Sequence, residues 1–297
     1  MQIIIVSGFL GSGKTTFIEE FQKRLSNVAI LENDYAKANV DFDILSNTGK
    51  EIISLEEGCI CCSRQKDFAT TVITIENTID PDYLIIEPTG VGYLSNVIRN
   101  IKAVEYEKIR LLNPITIVDY NSIDTLLKTY QDLFLDQIKN SRYLLLSKIE
   151  NVSEEKIREG ISRLEKLTDA KIFANHYRTF DDSNWQELLS PYDLKLDYNS
   201  LKDGLKLDNF TYENVKFKDF NDLGTKINAV ASNRFGKLIR AKGIVDVSDK
   251  KVRVDVVGSE FDIVKYEGES SKNSLIFIGE DLEKDSYDIL FKNTDIK

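Results

Sequence analysis

A glycine-rich loop near the start of the chain constrains the fold more than any other segment. Residues 8–15 read GFLGSGKT, which fits the pattern G-x-x-x-x-G-K-T. An apolar run at residues 3–7 precedes the loop, and apolar residues recur at helical spacing over residues 14–25. Glycines let backbone N–H groups turn inward around phosphates, and a following helix directs its positive end toward them. The sequence therefore predicts a strand, a phosphate-binding loop and a helix in succession.

The loop also predicts which groups bind a nucleotide. Lys14 is expected to reach the β- and γ-phosphates and to act in catalysis, the Thr15 hydroxyl to bind Mg²⁺, and Thr16 to bond the α-phosphate. The nucleotide-binding residues predicted in this loop are Gly8, Gly11, Ser12, Gly13, Lys14, Thr15 and Thr16. A chance glycine turn before a helix is the alternative, but it does not explain why strand, loop, Lys-Thr pair and helix occur together.

Short apolar runs separated by helical stretches indicate a parallel sheet covered on both faces. Besides residues 3–7, these runs are Val28–Glu32, Tyr83–Glu87, Ile115–Asp119 and Tyr143–Ser147. Ligands of such sheets bind beyond the carboxyl ends of the strands, so the polar residues that end these runs are candidates for a site.

Glu87, in the segment YLIIEPTG, is the strongest of these candidates. In P-loop proteins a strand beside the loop brings a carboxylate to Mg²⁺, usually through water, or to the attacking water. We therefore predict a catalytic and Mg²⁺-binding role for Glu87. Asp119 is left open between site and structure. Glu32 and Asp34 follow another apolar run and either bind a cation, respond to the γ-phosphate, or belong to a solvated loop.

The residue pattern of the chain changes around residues 191–207, which are polar and interrupted by proline and glycine. We predict a P-loop domain over residues 1–195, a linker over 196–208 and a second domain over 209–297. The second domain has further short apolar runs, and turns such as residues 248–250 join them as hairpins. The predicted fold class is α/β, with a mainly parallel sheet, followed by a small α+β domain with an antiparallel sheet.

All three cysteines of the chain, Cys59, Cys61 and Cys62, lie in the segment GCICC. Thiolates bind Zn²⁺ and other soft or borderline ions, so this crowding predicts a metal site. Three thiolates do not complete a tetrahedral site, and Asp34, Glu56, Glu57 and water remain open as the fourth ligand. The alternative is three small buried residues that happen to be cysteine.

Composition narrows the partners and the compartment. A net charge of −10 argues against nucleic-acid binding, which needs a basic surface. No segment reaches the run of about 18 apolar residues that spans a bilayer, so we expect no membrane partner. The clustered cysteines suit a reducing compartment, and we expect a cytoplasmic protein.

The segment LLLSKIE, residues 144–150, falls where a loop that contacts the nucleotide base is expected. The Glu150 carboxylate would accept two N–H bonds from guanine, which adenine cannot offer, with Lys148 packed along the base. A surface loop of mixed charge is the alternative. His176 is the only histidine, and it is a surface or packing residue, a contact to the base or, as the least favoured alternative, a metal ligand.

Together these elements resemble the CobW-type P-loop GTPases, relatives of the nickel chaperones for urease and hydrogenase. The matching segments are GFLGSGKTT, ENDYAKANVD, GCICC, EPTG, the pair Gln137–Ile138 before SKIE, and RFGKLIRAKGIV. They follow in the family's order over nearly the whole chain.

The resemblance implies a GTP-hydrolysing metallochaperone whose C-terminal domain is of the CobW type. GTP or GDP and Mg²⁺ would bind at the loop, and Zn²⁺ or Co²⁺ would bind Cys59, Cys61, Cys62 and Asp34. Hydrolysis would release the ion to a client metalloprotein. Two alternatives stay open: a GTPase that activates or regulates a cofactor enzyme, such as a corrinoid protein, without delivering metal, and a small-molecule phosphotransferase. The latter normally carries an arginine-rich lid, which this sequence lacks.

The chain departs from the family pattern where the base is recognised. Ser147, Lys148 and Glu150 stand in place of the family's N-K-x-D, so the strictness of GTP over ATP is open. Lys37 replaces an acidic residue of the family, and the chain has no histidine-rich stretch.

Overall fold

The computed structural model describes residues 1–32, 51–54, 65–195, 208–248, 250–258, 260–266 and 273–292. These described residues form two compact units, one up to residue 195 and one from residue 208. The boundaries 1–195, 196–208 and 209–297 remain our proposal for the domains. No helix within the described ranges is long and apolar enough to cross a membrane.

The first unit is built on an eight-stranded parallel sheet. Its strands are β1 Gln2–Ser7, β2 Val28–Glu32, β3 Glu51–Ser54, β4 Tyr83–Glu87, β5 Arg110–Leu111, β6 Ile115–Asp119, β7 Tyr143–Ser147 and β8 Lys171–Phe173. The order is β3-β2-β4-β1-β6-β7-β8, with the short β5 beside β1. The predicted parallel sheet is confirmed, and β3, β5 and β8 are too short to have stood out in the sequence.

Helices cover both faces of this sheet because its strands are apolar on both sides. In β1, Ile4 and Val6 belong to one buried cluster, while Ile3 and Ile5 belong to another. Alternate side chains of a strand point to opposite faces, so a continuous apolar run serves two cores. The α-helices are α1 Lys14–Phe21, α2 Gln65–Thr78, α3 Leu94–Lys102, α4 Ile123–Thr129, α5 Gln131–Lys139, α6 Glu154–Leu164 and α7 Asp182–Glu187.

The second unit has a six-stranded sheet of order β13-β12-β11-β14-β9, with β10 beside β11. Its strands are β9 Asp208–Glu213, β10 Lys216–Phe217, β11 Lys237–Val247, β12 Lys250–Val257, β13 Glu260–Lys265 and β14 Ser274–Glu280. Helices α8 Phe220–Ala231 and α9 Lys284–Phe291 complete it. Val252, Val254 and Val256 alternate into a core with residues of both helices.

The antiparallel arrangement predicted for this sheet is confirmed for β9 and β11–β14, but β10 runs parallel to β11. The segment that connects β10 to β11 explains why these two strands are parallel. Helix α8 lies between β10 and β11 in the chain, and a helical crossover returns a strand in the same direction, whereas a tight hairpin reverses it.

Candidate nucleotide and metal site

The loop between β1 and α1 depends on glycine at two positions. Gly8 has a φ of +143°, and a β-carbon there would lie 2.4 Å from the carbonyl oxygen of Ile117. Gly13, with φ +94°, is the residue from which helix α1 begins. Side chains would therefore clash or strain the backbone at these positions. The loop ends at the N-terminus of a helix, where backbone N–H groups favour a phosphate.

Lys14 and Thr15 both meet Glu87, which ends β4. The Lys14 side chain is only 5% exposed, and its Nζ lies 3.8 Å from Glu87 Oε1 and 3.3 Å from the Phe9 carbonyl oxygen. The Thr15 hydroxyl lies 3.4 Å from each Glu87 carboxylate oxygen. Two ligands of one octahedral Mg²⁺ are about 3 Å apart, so this spacing fits a cation held by Thr15 and Glu87, directly or through water.

The segment after Glu87 lies flush against the phosphate loop. A β-carbon on Gly90 would be 2.5 Å from the amide nitrogen of Leu10, so only glycine allows this approach. On its other side, Nε2 of the buried Gln137 donates to the carbonyl oxygens of Gly90 at 3.2 Å and Gly92 at 3.4 Å. Helix α5 thereby holds the segment in place. Nothing in the residue pattern alone indicated which groups Gln137 contacts.

The carboxyl ends of β3, β2 and β4 lie side by side. In the parallel register Glu32 pairs with Glu87 on one side and with Ser54 on the other. Glu32 is only 4% exposed, which excludes the solvated side chain that the sequence had left open. Two carboxylates therefore end neighbouring strands, and one of them, Glu87, meets Lys14 and Thr15. The sequence left cation binding open for Glu32 because it ends a continuous apolar strand, but it did not include Glu32 among the predicted zinc ligands.

The predicted metal ligands Cys59, Cys61, Cys62 and Asp34 lie outside the described residues. Within the described ranges, no group of three or more His, Cys, Asp or Glu residues is placed to hold a metal ion. The described strands that precede these residues in the chain end at the edge just described. β2 ends at Glu32, two residues before Asp34, and β3 ends at Ser54, five residues before Cys59.

The residues predicted to recognise the base follow β7. The Ser147 hydroxyl donates to the Ser12 carbonyl oxygen at 2.7 Å, which links the end of β7 to the phosphate loop. Lys148 has a φ of +56°, and its Nζ lies 2.9 Å from Oδ2 of the buried Asp119. Asp119 also accepts from the Asn121 amide at 3.0 Å. Asp119 thus holds Lys148 and caps the turn after β6.

Glu150, three residues after Ser147, meets the single histidine of the chain. His176 Nε2 lies 3.4 Å from Glu150 Oε1, and the Glu150 side chain is 62% exposed. Burial lowers the pKa of His176, while the charge of Glu150 opposes that shift and Arg178 adds to it. His176 is therefore neutral near pH 7. The sequence left His176 open between a surface or packing residue and a contact to the base, and the structure places it against the predicted base-reading carboxylate.

Comparison with known proteins gives two family matches and several relatives. Residues 2–174 match the CobW/HypB/UreG nucleotide-binding domain, and residues 209–294 match the cobalamin synthesis protein cobW C-terminal domain. Zinc-regulated GTPase metalloprotein activator 1 of Dictyostelium discoideum is 29% identical over 54% of this chain and 43% of its own length. Zinc chaperone YjiA of Escherichia coli is 26% identical over 54% of each chain.

The chain thus spans about half the length of the curated relatives it matches. Among solved structures, zinc-bound YjiA GTPase from E. coli covers 96% of each chain at 17% identity, with a TM-score of 0.46. HypB from Helicobacter pylori in complex with nickel covers 65% of this chain and 91% of its own at 18% identity, with a TM-score of 0.44.

Proposed function

Because the chain belongs to the family of the CobW/HypB/UreG nucleotide-binding domain, with a CobW C-terminal domain after it, we propose that it hydrolyses GTP and couples hydrolysis to the handling of a zinc ion. Curated relatives carry the names zinc chaperone and zinc-regulated GTPase metalloprotein activator. These names specify zinc, and we therefore propose that the ion handled by this chain is zinc and not cobalt.

The phosphate loop binds the triphosphate through its backbone N–H groups and Lys14. Lys14 is buried, and a buried ammonium needs compensating negative charge. Glu87 and the Phe9 carbonyl oxygen supply part of it, and phosphate oxygens supply it when nucleotide is bound. Thr15 and Glu87 would hold Mg²⁺, which neutralises charge on the β- and γ-phosphates. Glu87 orients the attacking water, either directly or through the water bound to Mg²⁺.

The zinc ion is the cargo, with Cys59, Cys61, Cys62 and Asp34 as its proposed ligands. Thiolates favour Zn²⁺, and three of them need one further oxygen or water ligand for tetrahedral geometry. Glu32 is a further oxygen donor at the edge from which both ligand segments leave the sheet.

The observation that carries the coupling is the register of β3, β2 and β4. Glu87, which touches Thr15 and Lys14, lies beside Glu32, and Glu32 lies beside Ser54. When hydrolysis removes the γ-phosphate, Lys14 and Glu87 exchange partners. That change alters the contacts at the strand ends that precede the proposed zinc ligands. The affinity for zinc therefore depends on the nucleotide state. Coupling of this kind is reciprocal, and zinc must change the ratio of GTP affinity to GDP affinity by the same factor.

Anaerobic zinc titration tests this proposal with the protein loaded with GDP or with a non-hydrolysable GTP analogue. We expect zinc affinities that differ about 5- to 150-fold between the two states, the usual range for coupled sites. A variant with all three cysteines changed to serine should bind nucleotide normally and lose both zinc binding and the difference. Equal zinc affinity in the two nucleotide states would contradict the proposal.

Delivery to a client metalloprotein is the last step that we propose. The test is transfer of zinc from the loaded protein to a candidate apo-enzyme during GTP hydrolysis. Metal-independent capture of a cofactor enzyme, without transfer of zinc, would instead favour an activator that remodels its partner.

A further inference from the structure

Selection of the nucleotide base by this chain centres on Glu150 and rests on the proposed GTP binding. Glu150 stands where the family has aspartate and is one methylene longer. Its extra torsion angle costs more conformational entropy when a base is bound. A longer carboxylate therefore recognises guanine well only if another group limits its motion before the base arrives.

His176 is the group that meets Glu150. Strand β8 pairs with β7 in parallel, so the loops that follow these two strands lie at the same edge of the sheet. Glu150 comes from the loop after β7 and His176 from the loop after β8. The His176 side chain is 17% exposed, while Glu150 is 62% exposed, so a fixed ring faces a carboxylate that is open to a ligand.

The orientation of the His176 ring is set by two contacts of its own. Its Nδ1 accepts a hydrogen bond from the Arg178 amide at 3.2 Å, which caps the turn Tyr177–Thr179. Its ring lies against the Tyr177 ring, with centroids 4.2 Å apart. Because Nδ1 is an acceptor, the proton of the neutral imidazole is on Nε2. That nitrogen lies 3.4 Å from Glu150 Oε1.

We infer that His176 is a positioning residue for guanine selectivity: its Nε2–H orients the Glu150 carboxylate so that the longer side chain accepts from the Watson–Crick edge of guanine. The pair Glu150–His176 then does in this chain what a shorter aspartate does alone. The Ser147 link to the phosphate loop keeps the start of the same loop in place.

The test is a double-mutant cycle on nucleotide binding, with GDP and ADP as probes in the presence of Mg²⁺. His176→Asn keeps a side-chain acceptor that caps the turn and removes the reach of Nε2 toward Glu150. We expect the ratio of the ADP to the GDP dissociation constants to fall about 3- to 10-fold, the range set by the cost of ordering one long side chain. Thermal melts of each variant show whether it is folded.

Glu150→Asp supplies the second arm of the cycle. The shorter carboxylate does not reach His176, so the Glu150→Asp variant should retain its preference for GDP. Adding His176→Asn to this variant should not change that preference. An equal effect of His176→Asn in both backgrounds, or no effect in the Glu150 background, would overturn the inference. Loss of zinc coupling with intact selectivity would contradict only the proposed function.

The single histidine supplies a readout that a purely structural role does not move. Histidine labelled with ¹⁵N gives one set of imidazole signals in this chain. We expect the Nε2–H tautomer in the free protein and a shift of the Nε2 signal on adding GDP but not ADP. Equal shifts with both nucleotides would contradict the inference, because the shift would then report phosphate binding alone.

Discussion

At the scale of single residues, the candidate site depends on side chains that several distant segments bring together. Thr15 and Glu87 are far apart in the chain, yet the hydroxyl and the carboxylate are 3.4 Å apart. Ser147 reaches the Ser12 carbonyl oxygen in the same way. The position of a polar residue at a strand end predicted that it belongs to the site. Only the fold determined which group it contacts.

Glu87→Gln keeps the shape of the side chain and removes its charge. We expect the rate of GTP hydrolysis to fall by about 100-fold or more, with a much smaller change in GDP affinity, because the carboxylate acts on the water and the cation. Steady-state hydrolysis and nucleotide binding measure the two effects. The exposed Glu159→Gln is the matched control. A comparable loss of affinity and turnover would assign Glu87 to binding alone.

His176 should titrate below the ordinary histidine pKa of about 6.5, because burial disfavours its charged form. The unfolded chain then binds this proton more readily than the folded one. This group's contribution to stability is therefore complete above pH 6.5 and is lost as the pH falls through the lowered pKa. NMR titration of the single imidazole measures the midpoint.

Two substitutions separate the causes of that shift. Glu150→Gln removes a charge that raises the pKa and should lower it further, whereas Arg178→Ala should raise it. A midpoint at or above 6.5 in the unmodified protein would contradict the role of burial.

At the scale of elements, helix α5 stabilises the segment between β4 and α3. Gln137 donates to the carbonyl oxygens of Gly90 and Gly92, and Asp136 accepts from the Ser95 amide at 3.1 Å. Gly90 meanwhile rests on the backbone of Leu10. The segment that leaves Glu87 is thus held between the phosphate loop and a helix, so its position depends on both.

Gln137→Leu leaves the Gly90 and Gly92 carbonyl oxygens without this donor. We expect the free energy of unfolding to fall by about 1–3 kcal/mol, and hydrolysis to slow because Glu87 is less well placed. Urea unfolding and steady-state hydrolysis measure the two effects. Gln131→Leu, on an exposed position of the same helix, is the control. Full stability together with full activity would show that α5 does not hold the segment.

At the scale of the whole molecule, each unit has its own apolar core. Phe17 and Trp185 belong to a core of the first unit, while Phe277 and Tyr287 belong to that of the second. All described residues that we assign to the nucleotide lie in the first unit. Each unit therefore satisfies the requirement of a domain, a hydrophobic core of its own.

A fragment of residues 1–195 should accordingly fold and bind GDP with an affinity close to that of the full chain. Circular dichroism, thermal melting and equilibrium binding test this, with Lys14→Ala in the fragment as the control that abolishes tight binding. A fragment that remains unfolded, or that binds GDP far more weakly than the full chain, would contradict the proposed boundary.

The sequence alone determined the architecture of the phosphate loop and the parallel sheet. The reason is physical: glycine spacing restricts the backbone locally, and a strand buried on both faces must be apolar throughout. Turn and helix signals likewise indicated the second unit, although the short parallel strand β10 lacked a pattern of its own.

Only the tertiary structure decided which polar groups meet. Register places Glu32 beside Glu87, and the adjacency of β7 and β8 places His176 against Glu150. The spacing of residues in the sequence predicts neither contact, because strand order brings together residues that are distant in the chain. Lys148 shows the same point, since its Nζ meets Asp119 from the neighbouring strand. Local patterns specify elements, whereas long-range packing of those elements specifies the site.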